Sequence, residues 1–338
     1  MKSDVLLAPF TTFHIGGPAR AFVEARTDAE IEEAIVYSRE HSLKLFVLGA
    51  GSNLLVPDAG VEGVVLKMTV DDIAFEKIGD DELLIAGAGT SWEEIVNAAG
   101  ERGLFGIENL AGIPGTMGGA VVQNIGAYGV EISSVFEYAD TIDYVTGVSK
   151  RIVRSDAEFE YRNSFFKKNR NLIITSAALR LSKNGTRNLS YPDLARVRDS
   201  GTLMETPSEI SEAVRAIRIR KFPHVKEEGT AGSFFKNPVI TRELADSLAQ
   251  QFSGLPTFPQ ADGRIKISLA WLLDHALALK GFSRGRVRLY ENQPMIIVAN
   301  AGATADEVDS FANEIAERVF NATGISIERE VETFGITK

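Results

Sequence analysis

The chain has 338 residues, of which 44% are hydrophobic and 24% charged, so it can bury a large core and we expect two or three domains. It contains no cysteine, which excludes disulfides, thiolate metal sites and cysteine nucleophiles and fits the reducing cytoplasm. A formal net charge of −10 disfavours nucleic acid and anionic membranes as partners, and no apolar run is long enough to predict a membrane span.

Four helix starts share one pattern, in which a threonine is followed three residues later by glutamate. This is the spacing of a capping box, where each side chain accepts a hydrogen bond from a backbone N–H near the other residue. The third predicted helix has Pro207 at its first position, and the fourth is predicted to end at Gly324. The four pairs are Thr27 with Glu30, Thr90 with Glu93, Thr206 with Glu209, and Thr304 with Glu307.

Short apolar runs between these helices predict buried strands, and the alternation of helices with strands predicts a mixed α/β chain. Two connections, at 49–63 and 112–129, are long and glycine-rich, and such loops are more often functional than idle. We expect a domain boundary near 201–208, before the third capped helix. The predicted strands are Leu43–Leu48, Leu83–Ala86, Leu172–Ser176 and Met295–Ala299.

The first glycine-rich loop follows a predicted strand and begins Gly49-Ala50-Gly51-Ser52-Asn53. It superficially resembles a dinucleotide fingerprint, but Leu54 stands at the third glycine position and Pro57 disfavours a following helix. Glycines let the backbone approach a ligand closely, and successive N–H groups can bind an anion without a helix. A plain tight turn after a strand is the alternative interpretation.

The second glycine-rich loop covers Ala111–Gly129. Its glycines and its proline predict little helix and many exposed N–H donors. It differs from the phosphate loop of nucleoside triphosphatases, because no Gly-Lys-Ser/Thr follows. Two glycine loops separated by a capped helix indicate a pyrophosphate held from two sides.

Together the loops resemble the FAD-binding domain of the vanillyl-alcohol-oxidase (PCMH) type. The narrower resemblance is to the UDP-N-acetylenolpyruvylglucosamine reductases, whose motifs occur here in order from near residue 11 to near residue 331. One such motif alone is weak evidence for the family, whereas the full series is highly specific for it. The motifs are TFHIGGPA (12–19), LGAGSNLLV (48–56), GIENLAGIPGTMGGA (106–120), YRNSFF (161–166), GSFFKNP (232–238) and EREV (328–331).

The resemblance implies an α+β (mixed α/β) fold with a two-subdomain PCMH-type FAD-binding module and a C-terminal α/β substrate-binding domain. We expect FAD-binding subdomains at 1–67, joined by the tail 326–338, and at 68–205, with the substrate-binding domain at 206–325. The implied reaction belongs to peptidoglycan precursor synthesis. NADPH reduces FAD, and the flavin then passes hydride to the vinyl carbon of UDP-N-acetylglucosamine enolpyruvate, giving UDP-N-acetylmuramate.

The resemblance also places the FAD contacts in the two glycine loops. With no cysteine in the chain and no histidine in the second loop, we expect non-covalent flavin, and the four scattered histidines predict no metal site. The expected cofactor-binding residues are Gly49, Gly51, Ser52, Asn53, Leu54, Ile113, Pro114, Gly115, Thr116, Gly118, Gly119, Asn124, Gly126 and Tyr128.

The implied catalytic residues are Arg162, Ser233 and Glu330. The planar guanidinium of Arg162 can hold a carboxylate through two hydrogen bonds; a surface salt bridge with Glu158 or Glu160 is the alternative. Ser233 is the implied proton donor to the substrate carbon, since general acids contribute about 10²–10⁴ in rate. A serine in an ordinary turn is the alternative interpretation there.

Glu330 is the implied hydrogen-bonding partner near the substrate carboxylate, and Glu328 and Glu332 are alternative assignments. The chain departs from the family pattern just after it, with Glu-Thr-Phe-Gly at 332–335 in place of Arg-x-Ile-Gly. This departure puts the local geometry around Glu330 in question.

The resemblance implies substrate-binding roles for Tyr191, Lys221 and Asn237, with Tyr191 on a loop that covers the substrate. Lys221 also suits the last turn of a helix, where a cation complements the helix dipole. Two rival functions stay open: a flavin oxidase or dehydrogenase for another small substrate, and a non-catalytic sensor of flavin or UDP-sugar. The joint presence of arginine, serine and glutamate at the three catalytic positions argues against the sensor.

Overall fold

Capping residues decide where several helices begin in the computed structural model, which describes residues 1–335. The predicted capping boxes at Thr27, Thr206 and Thr304 are confirmed, each with hydrogen bonds in both directions. Pro207 opens its helix as predicted, and Gly324 ends another in the left-handed conformation, with φ of 72°. The helices are α1 (Asp28–Glu40), α2 (Trp92–Glu101), α3 (Met117–Gln123), α4 (Phe165–Lys168), α5 (Pro192–Asp199), α6 (Pro207–Lys221), α7 (Arg242–Gln251), α8 (Leu269–Trp271) and α9 (Ala305–Thr323).

The predicted capping box at Thr90 and Glu93 is wrong. Helix α2 begins only at Trp92, without a side-chain cap. The Glu93 carboxylate instead accepts a hydrogen bond from the backbone N–H of Gly112 (2.8 Å) and pairs with Arg215. Hydrogen-bond partners distant in sequence thus bind the Glu93 carboxylate that a capping box at Thr90 would require.

The four predicted strands are confirmed as β3, β7, β12 and β18. The strands in chain order are β1 (Lys2–Leu6), β2 (Pro18–Ala25), β3 (Lys44–Leu48), β4 (Leu54–Leu55), β5 (Val61–Met68), β6 (Ile73–Ile78), β7 (Asp81–Gly87), β8 (Gly126–Ala127), β9 (Val130–Glu131), β10 (Phe136–Asp143), β11 (Ser149–Val153), β12 (Leu172–Ser182), β13 (Val239–Ile240), β14 (Thr257–Pro259), β15 (Ile265–Ile267), β16 (Ser283–Arg284), β17 (Val287–Leu289), β18 (Ile297–Ala299) and β19 (Glu332–Thr333).

These elements form two units. The first comprises Met1–Val5, Ala19–Gly51 and Val61–Ile219, and the second comprises Leu6–Pro18, Ser52–Gly60 and the chain from Arg220 onward.

The first unit contains two larger sheets. One has the strand order β1-β2-β5-β3, in which β5 lies parallel to both β2 and β3. The other has the order β11-β10-β12-β7-β6 and its strands pair antiparallel. Strands that pair in parallel are typically buried on both faces of their sheet, and most of β5 is buried here.

One hydrophobic core runs through the first unit and includes Trp92, Phe136 and the apolar stripe of α6, with Ile210 and Val214 fully buried. Helix α6 therefore packs with the residues that precede it. The division between the units falls after Ile219, near the end of α6, and the domain boundary expected near 201–208 stays a prediction. The division into three domains stays a prediction.

The second unit contains the three-stranded sheets β13-β15-β14 and β16-β17-β18, and the parallel pair β4–β19. Its largest core cluster joins Phe234 and Phe235 to an apolar stripe of α9, in which Val308, Phe311 and Ile315 are buried. Among residues 1–335, no helix has the length and apolarity needed to cross a membrane.

Candidate functional site

The two glycine loops meet inside the first unit. The first loop leaves β3 at Gly49, whose carbonyl accepts a hydrogen bond from Lys67 Nζ at 2.6 Å. A Cβ at Gly49 would lie 2.8 Å from Thr116 Oγ1 of the second loop, closer than real Cβ contacts. Only glycine fits this approach, so the structure brings these two predicted cofactor-binding residues together.

The second loop contains helix α3, so the prediction of little helix there is wrong. Thr116 caps the helix, and the first two helical N–H groups, of Met117 and Gly118, donate to the carbonyls of Thr90 (3.0 Å) and Ala88 (2.9 Å). Contacts with distant backbone thus compensate for the weak helix propensity of glycine. The predicted exposure of the loop's donors is also wrong for these two groups.

The adjacent glycines of α3 serve different purposes. A Cβ at Gly118 would lie 3.1 Å from Ala88 Cβ, so this glycine permits close packing within the protein. A Cβ at Gly119 would meet no heavy atom nearer than Thr116 Oγ1 at 3.6 Å, and Gly119 is exposed. The face of α3 at Gly119 is therefore open, whereas the protein itself requires Gly118. Before the helix, Ile113 and Gly115 are half-buried and Pro114 is exposed.

Three predicted site residues other than glycine adopt positive φ: Asn124 (44°), Tyr128 (48°) and Arg162 (55°). Such backbone conformations are unfavourable and cluster at functional sites. The Asn124 side chain is engaged within the protein, because its amide donates to Glu131 Oε2 (3.0 Å) and the Glu160 carbonyl (2.9 Å). Asn124 therefore shapes the loop through its side chain.

Arg162 lies against the second loop. Its Nη2 donates to the Gly126 carbonyl at 2.7 Å, and a Cβ at Gly126 would lie 3.0 Å from Arg162 Nη1. The guanidinium also stands 5.3 Å from the centre of the Tyr161 ring. These contacts hold the predicted catalytic arginine in one orientation beside a predicted cofactor-binding residue.

Tyr128 and Tyr191 also meet in the first unit, with ring centres 5.2 Å apart in an edge-to-face arrangement. Burial raises the pKa of Tyr128 to about 12, against the opposing effect of Arg218, which hydrogen-bonds its hydroxyl. Arg218 Nε also donates to the Gly112 carbonyl (2.9 Å), and the Asn109 amide donates to the Tyr128 carbonyl (2.9 Å). These roles of Arg218 and Asn109 were not predicted from the sequence, although Asn109 lies within the motif GIENLAGIPGTMGGA (106–120).

In the second unit, Asn53 holds the backbone around Glu330. Its Nδ2 donates to the Glu330 carbonyl (3.1 Å), and its own carbonyl accepts from the N–H of Glu332 (3.1 Å). Leu54, the next residue, opens β4 and pairs with Glu332 of β19. A predicted cofactor-binding segment and a predicted catalytic residue are thereby joined.

Ser233 lies beside the same backbone. The Glu330 N–H donates to the carbonyl of Phe234, the residue after Ser233, at 2.8 Å, and Ser233 bridges to Ile296. Gly232 has φ of 74°, and a Cβ there would meet no atom within 4 Å, so space is open next to the serine. In the described chain, the half-buried Ser233 hydroxyl forms no hydrogen bond.

The unusual C-terminal sequence still docks on β4. Phe334 is buried, and its N–H donates to the Leu55 carbonyl at 2.9 Å. The alternative carboxylate Glu328 is exposed and pairs with Lys236 at 3.0 Å. The departure from the family pattern thus leaves the backbone of Glu330 anchored on both sides.

Two predicted substrate-binding residues lie in the second unit. Lys221 is the last residue of α6. Asn237 Oδ1 accepts a hydrogen bond from the N–H of Leu269 (3.0 Å), so its oxygen fixes the start of α8. Tyr191, the third, lies in the first unit at the start of α5, and its side chain is 41% exposed.

The residues present fit an anionic cofactor. Among residues 1–335, the backbone N–H of Ala50 in the first unit forms no hydrogen bond, and neither do those of Ser52 and Asn53 in the second unit. Gly51, between them, has φ of 63°. Consecutive N–H groups such as those of Ser52 and Asn53 are suited to phosphate oxygens. Among these same residues, no group of three histidine, aspartate or glutamate side chains is placed to hold a metal ion.

Comparison with known proteins agrees with this geometry. Residues 19–153 match the family model of an FAD binding domain, and residues 224–334 match that of the UDP-N-acetylenolpyruvoylglucosamine reductase C-terminal domain. The mixed α/β fold with an FAD-binding module and a C-terminal domain is thus confirmed.

Full-length relatives extend the match over the whole chain. The UDP-N-acetylenolpyruvoylglucosamine reductase of Pseudomonas aeruginosa is 39% identical, with 98% of each chain covered. That of Escherichia coli K12 is 35% identical, with 97% of this chain and 95% of the relative covered. The crystal structure of the Thermus caldophilus reductase covers 98% of both chains, with a TM-score of 0.69 at 25% identity. The chain therefore belongs to the UDP-N-acetylenolpyruvoylglucosamine reductase family.

Proposed function

We propose that the chain is an FAD-dependent oxidoreductase that reduces UDP-N-acetylglucosamine enolpyruvate to UDP-N-acetylmuramate, with NADPH as hydride donor, in peptidoglycan precursor synthesis. The observation that carries the proposal is the uncommitted hydroxyl of Ser233, beside open space and next to the anchored backbone of Glu330. Binding a flavin requires no such hydroxyl, whereas protonating a substrate carbon requires a proton donor, which this hydroxyl can supply.

Bound non-covalently, FAD would carry hydride from NADPH to the vinyl carbon of the substrate. The chain would hold its pyrophosphate with the N–H groups of Ala50, Ser52 and Asn53, which have no acceptor among the described residues. The open face of α3 at Gly119 would lie against the cofactor. Neutral N–H donors suit this task in a chain whose net charge is −10, because they attract an anion locally.

Arg162 would bind the substrate carboxylate and stabilise the negative charge that spreads onto it when hydride adds to the vinyl carbon and leaves a carbanion on the carbon next to the carboxylate. Its hydrogen bond to the Gly126 carbonyl fixes the guanidinium plane before the substrate arrives. A preorganised donor needs no reorientation during the reaction, which is the main source of electrostatic catalysis.

Ser233 would donate the proton to the substrate carbon, since its hydroxyl has no competing acceptor among residues 1–335. The buried Phe234 and Phe235 that follow it exclude water from one side. Glu330 would hydrogen-bond near the substrate carboxylate, with its main chain held by Asn53 and Phe234. Tyr191, Lys221 and Asn237 would bind the UDP-sugar.

The setting we propose is the cytoplasm, with only small molecules as partners. A cysteine-free chain suits a reducing compartment without depending on it, and the net charge of −10 disfavours nucleic acid.

The test separates the two half-reactions in the Ser233→Ala variant. Reduction by NADPH, followed by stopped-flow absorbance, should stay near wild type, because this step needs no proton on the substrate carbon. Reoxidation by the enolpyruvyl substrate should slow by about 10² or more. Ser233→Cys should keep part of the activity, and Ser283→Ala, an exposed serine of the same unit, should behave as wild type.

Equal slowing of both half-reactions in Ser233→Ala would make Ser233 a structural residue and contradict the assignment. If neither half-reaction slows, the proton comes from elsewhere, with Glu330 as the next candidate.

A further inference from the structure

Lys67 is a half-buried cation without an anionic partner. It lies on β5, between Glu24 of β2 and Leu48 of β3 in the strand register. Within the described chain its ammonium forms no ion pair, and its one hydrogen-bond partner is the carbonyl of Gly49, at 2.6 Å. Burial lowers the pKa of Lys67, and the charge of Glu24 opposes that effect only in part.

A half-buried ammonium without an ion pair is energetically unfavourable when no ligand is bound. Moving an ammonium group out of water is unfavourable unless an opposite charge and hydrogen bonds compensate, and one neutral carbonyl supplies only part of that compensation. Glu24 is itself paired, with Lys2 at 3.8 Å. The missing counter-charge therefore points to an anion that binds near Gly49.

The position of Lys67 supports this interpretation. Gly49 is the first residue of the predicted pyrophosphate loop, and its Cβ position is already closed by Thr116 Oγ1. The lysine donates a hydrogen bond to the Gly49 carbonyl, which fixes the position of this carbonyl at the start of the loop. The next N–H, of Ala50, has no acceptor among residues 1–335. The cation of β5 that hydrogen-bonds Gly49 and the N–H of Ala50, the next residue, both favour a phosphate.

We propose that Lys67 is a positioning residue for FAD binding: it fixes the Gly49 carbonyl at the start of the loop and supplies positive charge for the pyrophosphate. The inference rests on the proposed function, because it takes the bound anion to be FAD. No local sequence pattern reveals the role, since Lys67 is a single lysine in an apolar strand.

The test measures FAD binding to the flavin-free apoprotein through the change in flavin fluorescence. Lys67→Met should weaken FAD binding about tenfold or more, the scale of a lost hydrogen bond to a charged group. Riboflavin lacks the pyrophosphate, so its affinity should change less than about twofold. Lys67→Arg should retain most FAD affinity, and Lys77→Met, which removes an exposed lysine of the same unit, should match wild type.

A second measurement separates positioning from folding. The melting temperature of the Lys67→Met apoprotein should equal or exceed that of wild type, because an incompletely paired buried charge is removed, while the rise caused by FAD should shrink. Lys67→Gln keeps a hydrogen-bond donor for Gly49 without the charge, so its loss of FAD affinity should be smaller than that of Lys67→Met. It replaces Lys67→Met in the binding test if the methionine variant does not fold.

Unchanged FAD affinity in Lys67→Met and Lys67→Gln, or an equal loss of FAD and riboflavin binding, would overturn the inference. If the wild-type apoprotein bound no FAD at all, the proposed function itself would fail, so the two failures are distinguishable.

Discussion

Changing Gly119 to alanine should stabilise the apoprotein while weakening cofactor binding. Gly119 is the third residue of α3, exposed, and a Cβ there would meet only Thr116 Oγ1, at an ordinary contact distance of 3.6 Å. Alanine restricts the unfolded chain and suits a helix, so the free energy of unfolding of the apoprotein should rise by about 0.5–1 kcal/mol.

The effect on FAD should have the opposite sign. If the cofactor lies on the open face of α3, the added methyl group takes space that the cofactor needs, and FAD affinity should fall by about tenfold or more, that is ~1.4 kcal/mol. Few variants are expected to raise apoprotein stability and lower ligand affinity together, so the combination is specific to a ligand-facing glycine.

Urea unfolding of the apoprotein and fluorescence titration with FAD measure the two quantities. The neighbouring Gly118→Ala is the matched control: its Cβ would lie 3.1 Å from Ala88 Cβ and 3.2 Å from the Ala88 carbonyl, so it should destabilise the apoprotein by about 1–3 kcal/mol. A Gly119→Ala protein that binds FAD as tightly as wild type would refute the placement of FAD on this face.

Three further variants test the fold around the site. Burial raises the pKa of Glu108, so the stability due to its protonated form is present below the ordinary pKa of 4.5 and is lost as the pH rises. The free energy of unfolding of Glu108→Gln, measured with urea, should therefore increase relative to that of wild type between acidic pH and pH ~8. A difference in free energy that stays constant with pH would contradict this. Phe334→Ala should cost about 3 kcal/mol in the same assay, since it removes a buried aromatic ring; a loss under ~0.5 kcal/mol would show that the ring is not buried in solution. Thr304→Ala should cost ~1 kcal/mol by removing the cap it shares with Glu307, whereas no loss would rule out that cap in solution.

Features determined by neighbouring residues were predictable from the sequence. The caps at Thr27, Thr206 and Thr304 need only a partner three residues away, so the sequence pattern contains the whole interaction. Strands such as β7 and β12 were also predictable, because a buried strand requires an apolar run whatever its neighbours are.

Features determined by distant residues were not predictable in this way. Helix α3 forms in a glycine-rich segment because the carbonyls of Thr90 and Ala88 accept its first N–H groups. The expected box at Thr90 fails because Gly112 and Arg215 take the Glu93 carboxylate.

The glycines of the candidate site illustrate both cases. Their number predicted close approach of the backbone to a ligand, but Gly49 approaches Thr116 and Gly118 approaches Ala88, so part of this glycine content serves packing within the protein. The open side of Gly119 could be recognised only from the three-dimensional structure. Whether each predicted residue contacts FAD or substrate stays a prediction.

The most direct test of the central claim is the visible spectrum of the purified wild-type protein under anaerobic conditions. We expect a yellow protein whose flavin is released by acid precipitation, bleached by NADPH and restored to its oxidised spectrum by UDP-N-acetylglucosamine enolpyruvate. A flavin that NADPH does not bleach, or that only oxygen reoxidises while the enolpyruvyl substrate has no effect, would contradict the claim and favour a flavin oxidase acting on another substrate.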